Sequence, residues 1–159
     1  MTTKIVSVSR LAEISQALRG EGRRLVVTNG CFDLLHVGHV RYLQAARSLG
    51  DVLAVGVNGD ASVRALKGAD RPLNREHDRA EVLAALACVD YVAIFPEPRA
   101  ARFLAQVQPA VYVKGGDYKP ETLDPDERAV LEKAGAEIRI IPFERGYSTS
   151  ALIEQMQKP

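Results

Sequence analysis

Two cysteines in 159 residues, Cys31 and Cys88, are too few and too unpatterned for a disulfide framework or a zinc cluster. Neither sign of charge is in excess. The 21 basic and 20 acidic residues leave a net +1, which offers no electrostatic case for nucleic acid or a membrane surface. No run approaches the ~20 apolar residues of a membrane span, and Met1 to Arg10 lacks the apolar centre of a secretory leader. Internal repeats, low-complexity tracts and interdomain linkers are missing too. These absences lead to the expectation of a cytoplasmic chain with reduced thiols that binds neither nucleic acid nor a membrane. Its 47% hydrophobic content suffices for one compact core.

What is present is an alternation of short apolar runs with helical patterns. Apolar spacing at Leu11, Ile14 and Leu18 predicts a helix over Ser9 to Leu18, with Ser9 as N-cap and Gly20 as stop. Strands are predicted over Leu25–Thr28, Val52–Val57, Tyr91–Phe95, Ala110–Val113 and Glu137–Ile141. Helices are predicted over Val40–Leu49, Asp60–Leu66, Glu76–Cys88, Pro98–Val107, Leu123–Ala134 and Ser148–Gln157, with Lys67–Asn74 as a loop. Residues 1–22 form a lead-in and first helix, and 23–159 the main domain. This is an α/β pattern: a five-stranded parallel sheet with helices on both faces. Ligands bind such sheets outside the carboxyl ends of the strands. Four turns follow strands and can share that edge: the histidine turn after Leu25–Thr28, Asn58-Gly59, Lys114-Gly115-Gly116-Asp117 and Gly146-Tyr147-Ser148.

The most informative stretch is Thr28-Asn29-Gly30-Cys31-Phe32-Asp33-Leu34-Leu35-His36-Val37-Gly38-His39, a strand end, a tight turn and a helix start. A helix start offers unpaired N–H groups and partial positive charge to a phosphate, and His36 and His39 add side-chain donors on its first turn. Gly38 leaves room for a ligand to approach the backbone. The stretch is neither a GxGxxG fingerprint nor a P-loop, which would end in Gly-Lys-Ser/Thr. Its logic fits nucleotidyl transfer, where donors fixed in advance at the α-phosphate oxygens supply much of the catalysis.

This stretch resembles the HxGH signature of the cytidylyltransferase-like nucleotidyltransferases, which implies a single Rossmann-like domain. Further matches are Asn58 to Gly68, Arg71-Pro72-Leu73-Asn74, Lys114-Gly115-Gly116-Asp117-Tyr118-Lys119-Pro120-Glu121 and Ser148-Thr149-Ser150. Together they resemble the D-glycero-β-D-manno-heptose 1-phosphate adenylyltransferases, which occur alone or as the C-terminal half of a bifunctional kinase–adenylyltransferase. The resemblance runs from about residue 5 to 157. It implies transfer of AMP from ATP to the sugar phosphate, giving ADP-heptose for the inner core of lipopolysaccharide, with pyrophosphate released. It also implies a homodimer and a heptose kinase that can be a separate chain. Mg²⁺ is expected to arrive with ATP, since the sequence shows no dedicated ligand cluster and no residue is assigned to a metal.

Within that frame His36, His39 and Lys67 are assigned to catalysis, Lys67 as a mobile charge that follows the phosphates. Gly30, Cys31, Phe32, Gly38, Arg79, Gly115, Asp117 and Ser148 to Ser150 (Ser148, Thr149, Ser150) are assigned to the nucleotide. Asp33, Asn58, Arg71 and Lys114 are assigned to the sugar phosphate. Several alternatives stay open at this point. Arg79 is either a nucleotide ligand or an exposed ion pair with Glu76 or Glu81. Asp33 either orients a histidine, helps hold Mg²⁺ or bonds to its own turn. Cys31 reads as a small buried residue rather than a nucleophile, and His77 as solvent-exposed. Related cytidylyltransferases carry an arginine where this chain has Phe143, with Arg145 nearby as a substitute. Other readings of the whole chain are a cytidylyltransferase for a small phosphorylated alcohol such as glycerol 3-phosphate and a catalytically inactive nucleotide-binding module. A class I aminoacyl-tRNA synthetase fragment fits poorly, because the chain is short, is not basic and has no KMSKS-like motif.

Overall fold

A computed structural model describes residues 3–116, 119–142 and 146–159. Its strands are β1 (Leu25–Gly30), β2 (Val52–Asn58), β3 (Tyr91–Phe95), β4 (Val111–Gly115) and β5 (Glu137–Ile141). Its helices are α1 (Val8–Gly20), α2 (Val37–Arg47), α3 (Asp60–Lys67), α4 (Glu76–Ala84), α5 (Ala101–Val107), α6 (Pro125–Lys133) and α7 (Thr149–Gln157). All strands are parallel, in the order β3-β2-β1-β4-β5, so the strand order reverses between β1 and β4. The expected five-stranded α/β sheet is the observed one.

Alternate residues along the strands feed two cores, as the two-residue period requires. Val27, Ala54, Ala93 and Tyr112 pack with Leu11 of α1, Phe103 and Leu104 of α5 and Leu131 of α6. Val26, Leu53, Val92 and Val111 pack with Leu43 of α2 and Ala80 and Leu83 of α4 on the opposite face. At Gly56 a Cβ would lie 2.7 Å from the Phe103 ring, so the helix α5 aromatic seats directly on bare β2 backbone. The lead-in is not idle, for Ile5 bridges Val92 in parallel and extends the β3 edge.

Helix ends differ from expectation where side-chain caps decide them. Ser7, not Ser9, caps α1 by accepting from the Arg10 amide at 3.0 Å. Helix α4 stops at Ala84 rather than Cys88, and its Val82 is 53% exposed because Arg79, Ala80, Leu83 and Ala84 take the inner face. Helix α5 starts at Ala101 rather than Pro98. The preceding segment is bracketed instead, with Glu97 and Pro98 carbonyls accepting from Asn58 Nδ2 and the Ala100 amide donating to buried Glu127 at 2.9 Å. Strand β4 runs on to Gly115, past the expected Val113.

The strand reversal opens the site. Strand β1 pairs with β2 from Leu25↔Val52 to Gly30↔Val57, but with β4 its register covers Val26↔Val111 and Val27↔Tyr112. Beyond that point side chains span the gap: Tyr42 OH donates to the Val113 carbonyl at 3.2 Å and lies 2.6 Å from Thr28 Oγ1. Tyr112 OH donates to Asn29 Oδ1 at 2.5 Å. Burial pushes the Tyr42 phenol up to about 12, so it stays a protonated donor.

Candidate active site

A cleft of about 1060 Å³ lies over the carboxyl ends of the strands, where the order reverses. Small-molecule sites run to ~300–1,000 Å³, so it has room for two substrates. Helix α2 presents its first turn to this cleft, and the two histidines build that turn. His36 is the N-cap residue, with extended backbone. Its Nδ1 accepts from the Gly38 amide at 3.1 Å, and His39 Nδ1 accepts from the His36 amide at 3.2 Å. Each ring thus replaces a cap acceptor for amides a helix start leaves unpaired. With both Nδ1 atoms accepting, a neutral ring carries its proton on Nε2. Burial holds His39 down to about 4, helped by the adjacent His36, and burial lowers His36 as well. Both rings are therefore neutral Nε2–H donors at neutral pH. Their centroids lie 4.0 Å apart, with Phe32 edge-on to His39 and Tyr147 stacked beside His36.

Gly38 has a second use beside the expected one. A Cβ there would sit 2.8 Å from His36 Cε1 and 3.1 Å from Tyr147 Cβ, so the bare α-carbon, which lines the cleft, also accommodates the folded-back imidazole. Gly38→Ala should displace that ring and lower kcat about tenfold or more, since small misplacements of a reacting group cost that much. Far-UV circular dichroism should stay native, and steady-state turnover reads the loss.

The other assigned residues divide into those that border the cleft and those buried in the scaffold behind or beside it. Lys67 ends α3, is exposed and lines the cleft. Arg71 lines it too, with Nε paired to Asp33 at 2.8 Å. Gly30, Cys31 and Phe32 form its floor after β1, and Lys114 and Gly115 border it from the end of β4. Phe32 adopts φ 49, a left-handed conformation that folds its ring back against Gly30. Burial raises the Cys31 thiol, against the pull of Lys67 and Arg79, so it is a thiol and not a nucleophilic thiolate. Ser148 caps α7 by accepting from the Ala151 amide at 3.0 Å, and Thr149 ties the helix to the Leu34 carbonyl at 2.8 Å. Ser150 lines the cleft beside them. His77 is exposed, as expected. Asp117, Phe143 and Arg145 lie outside the described residues.

One assignment, that of Arg79, is corrected, and two residues that line the cleft, Asn58 and Asp33, are also tied into the scaffold. Arg79 neither lines the cleft nor pairs with Glu76 or Glu81. Its side chain is fully buried, and its guanidinium donates to the carbonyls of Cys31, Asn58 and Asn74 and to Asp60 Oδ1. Asn58 lines the cleft but is 3% exposed, and its amide nitrogen donates to Ser62 Oγ and the Glu97 and Pro98 carbonyls, so it braces the β2 end. Asp33 is buried and accepts from the Leu73 and Asn74 amides as well as Arg71. Burial pushes its carboxyl upward, but these donors outweigh it and hold the group below the ordinary carboxylate value.

Sequence reasoning missed two contributors to the wall. Tyr147 stacks on His36, and Arg41 lies 5.9 Å from the Tyr147 ring centre. The only signal was the position of Tyr147 between Gly146 and Ser148. Arg41 gave none, being one more surface-type residue on α2.

A family model described as cytidylyltransferase-like matches residues 27–155. The chain is 53% identical over 154 residues to the bifunctional protein HldE of Geotalea uraniireducens, an alignment covering 97% of this chain and 31% of that protein. It is 50% identical over 153 residues to the bifunctional protein HldE of Geobacter metallireducens, covering 96% and 31%. The chain thus spans about 31% of the length of these curated relatives. Among solved structures it is similar to the lipopolysaccharide core biosynthesis protein from Thermoplasma volcanium, with TM-score 0.64 and 28% identity over 80% of this chain and all of that one. A pantoate-beta-alanine ligase from Francisella tularensis shares the fold, with TM-score 0.61 and 14% identity over 91% of this chain and 68% of that one.

Proposed function

Because the chain belongs to the cytidylyltransferase-like family, we propose that it transfers AMP from ATP to D-glycero-β-D-manno-heptose 1-phosphate, releasing pyrophosphate and forming ADP-heptose. The observation that carries this reading is the pair of neutral Nε2–H donors at the head of α2, facing a cleft that Lys67 and Arg71 also line. An oxygen of the sugar phosphate attacks the α-phosphorus of ATP in line, and the bond to the bridging oxygen of pyrophosphate breaks. A phosphate nucleophile is already ionised at neutral pH, so no general base is required. The protein's share is positioning and charge stabilisation.

In this reading His36 and His39 donate to the α-phosphate oxygens and Lys67 follows the charge as it moves to the leaving group. Ser148 and Ser150, at the α7 start, hold the outer phosphates. Lys114 and Gly115 border the nucleotide and Arg71 meets the sugar phosphate. Mg²⁺ enters on the triphosphate and is part of the substrate. The reaction belongs to the cytoplasm, where ATP is available. No helix among the described residues is long and apolar enough to cross a membrane. The homodimer and a heptose kinase, which can be a separate chain, are what the family resemblance implies.

Pyrophosphate release tests the assignment, with ATP or CTP offered against heptose 1-phosphate or glycerol 3-phosphate in the presence of Mg²⁺. Turnover confined to ATP with the heptose phosphate is expected. Turnover with CTP would move the substrate to the cytidylyltransferase branch. No turnover with any pair, from folded protein that still binds nucleotide, would leave a binding module.

A further inference from the structure

Arg71-Pro72-Leu73-Asn74 is a part of the sequence signature whose composition substrate contact alone does not explain, and its bonds account for it. The side chain of Asp33 is 1% exposed. Its Oδ2 accepts from Arg71 Nε at 2.8 Å and the Leu73 amide at 2.8 Å, and its Oδ1 accepts from the Asn74 amide at 2.9 Å. Asn74 hooks back twice, through Nδ2 to the Asp33 carbonyl at 2.8 Å and through its own carbonyl to Arg79 Nε at 3.0 Å. A buried anion and a buried cation therefore grip the loop from two sides. Arg79 in turn is anchored on the ends of β1 and β2, through Cys31 O at 2.7 Å and Asn58 O at 2.8 Å.

The way Arg71 is held matters for its chemistry. Asp33 takes the inner Nε–H, and among the described residues the two terminal amino groups find no protein acceptor. The side chain is 17% exposed and borders the cleft. An arginine fixed by Nε presents its outer donors in one plane, as a phosphate clamp needs. Without the carboxylate, the same side chain would sample many rotamers and its loop would lose three converging acceptor bonds.

We propose that Asp33 is a positioning residue of the transfer reaction: without touching substrate, it aims Arg71 into the cleft and seats the loop over residues 68–75 that follows Lys67. This rests on the reading above, in which Arg71 and Lys67 meet the reacting phosphates. Neither a metal ligand nor a sugar contact is needed to explain the acidic residue in the histidine turn. The loop motif and the turn motif, 38 residues apart between Asp33 and Arg71, are two halves of one latch.

A double-mutant cycle on the whole chain tests it. Asp33→Asn sets an amide N–H2 against converging N–H donors, so the latch opens while volume is kept. We expect kcat about 10–100-fold lower, the scale of a misplaced reacting group, with KM for ATP changed less than about threefold. On an Arg71→Ala background the same change should add less than about threefold, because the residue it aims is gone. Asn74→Ala, which removes the exposed hook and leaves the carboxylate, should give a smaller loss that Arg71→Ala also absorbs, and it carries the cycle should Asp33→Asn fail to fold. Amide exchange at Leu73 and Asn74 should accelerate in Asp33→Asn without substrate present. Full multiplication of the single effects, or kcat of Asp33→Asn within about twofold of wild type, would overturn the proposal. A wrong substrate reading shows itself separately, as wild-type silence with the heptose phosphate, and the cycle is then read on whichever pair the wild type turns over or, failing any, on ATP affinity.

Discussion

His36→Asn should fold like the wild type and turn over about 10²–10³-fold more slowly, the usual loss for one preorganised donor at a developing oxyanion. The ring has two jobs at two atoms. Its Nδ1 caps α2 through the Gly38 amide, at 3.1 Å, and its Nε2–H is, in the proposed reaction, the donor to phosphate. Asparagine places an oxygen near the Nδ1 position and is a favoured N-cap residue, so the helix start survives while the outer donor is lost. Glutamine makes the opposite trade, reaching the Nε2 position without serving as a cap. His36→Gln should retain more kcat than His36→Asn and lose more stability, by about 0.5–2 kcal/mol for the missing cap. Parallel kinetics and denaturant melts separate the two roles. Equal kcat in both variants would mean that the outer nitrogen does nothing.

His39 adds a pH signature. With its ring held to about 4, against an ordinary value of 6.5, the folded protein keeps it neutral where an unfolded chain would protonate it. Between those values the unfolded state binds more protons, so the contribution is fully present above about 6.5 and is lost as pH falls toward 4. Stability should therefore decline across that acid window, and His39→Gln should flatten the decline. The free enzyme's kcat/KM should likewise show no acid limb near 6.5 from this residue, whereas an ordinary surface histidine would produce one.

The sheet was legible because buried strands are short apolar runs. Tyr91–Phe95 and Glu137–Ile141 match to the residue, and the others miss polar or glycine ends such as Asn58 and Gly115, with β4 also starting at Val111 rather than Ala110. Helix ends were less legible, since Ser7 and Ser9 are equally good caps on paper and only the Arg10 amide chooses between them. The histidine turn was legible because its residue types have few other uses at that spacing. What sequence could not give was partners. Asp33, Asn58 and Arg79 look like ligand residues, but the atoms that engage them include backbone amides and carbonyls, which every residue has and no sequence marks. Arg79 finds Cys31 O 48 positions away and Asn58 O 21 away. A charge meant for a phosphate and a charge meant for three carbonyls are spelled alike.

That distinction makes Arg79→Met a decisive variant. Were Arg79 a nucleotide ligand, the change would raise KM for ATP and leave the fold intact. Its guanidinium is instead sealed behind the cleft, donating to Cys31 O, Asn58 O, Asn74 O and Asp60 Oδ1 at 2.7 to 3.0 Å. Methionine fills the stem's volume but strands these acceptors, and removing one side of such a buried pair costs about 3–5 kcal/mol. Asp60, at 30% exposure, recovers some of its share from water, so the low end of that range applies. For a domain of this size the midpoint should fall by about 10 °C. Lysine keeps the charge but cannot reach four acceptors in three directions, so Arg79→Lys should recover only part of the loss. Calorimetry gives the midpoint, and kcat measured well below it gives the consequence for chemistry. Because Arg79 also grips Asn74, turnover should fall with stability, while KM for ATP stays close to wild type. A stable Arg79→Met protein with weakened ATP binding would return this arginine to the nucleotide.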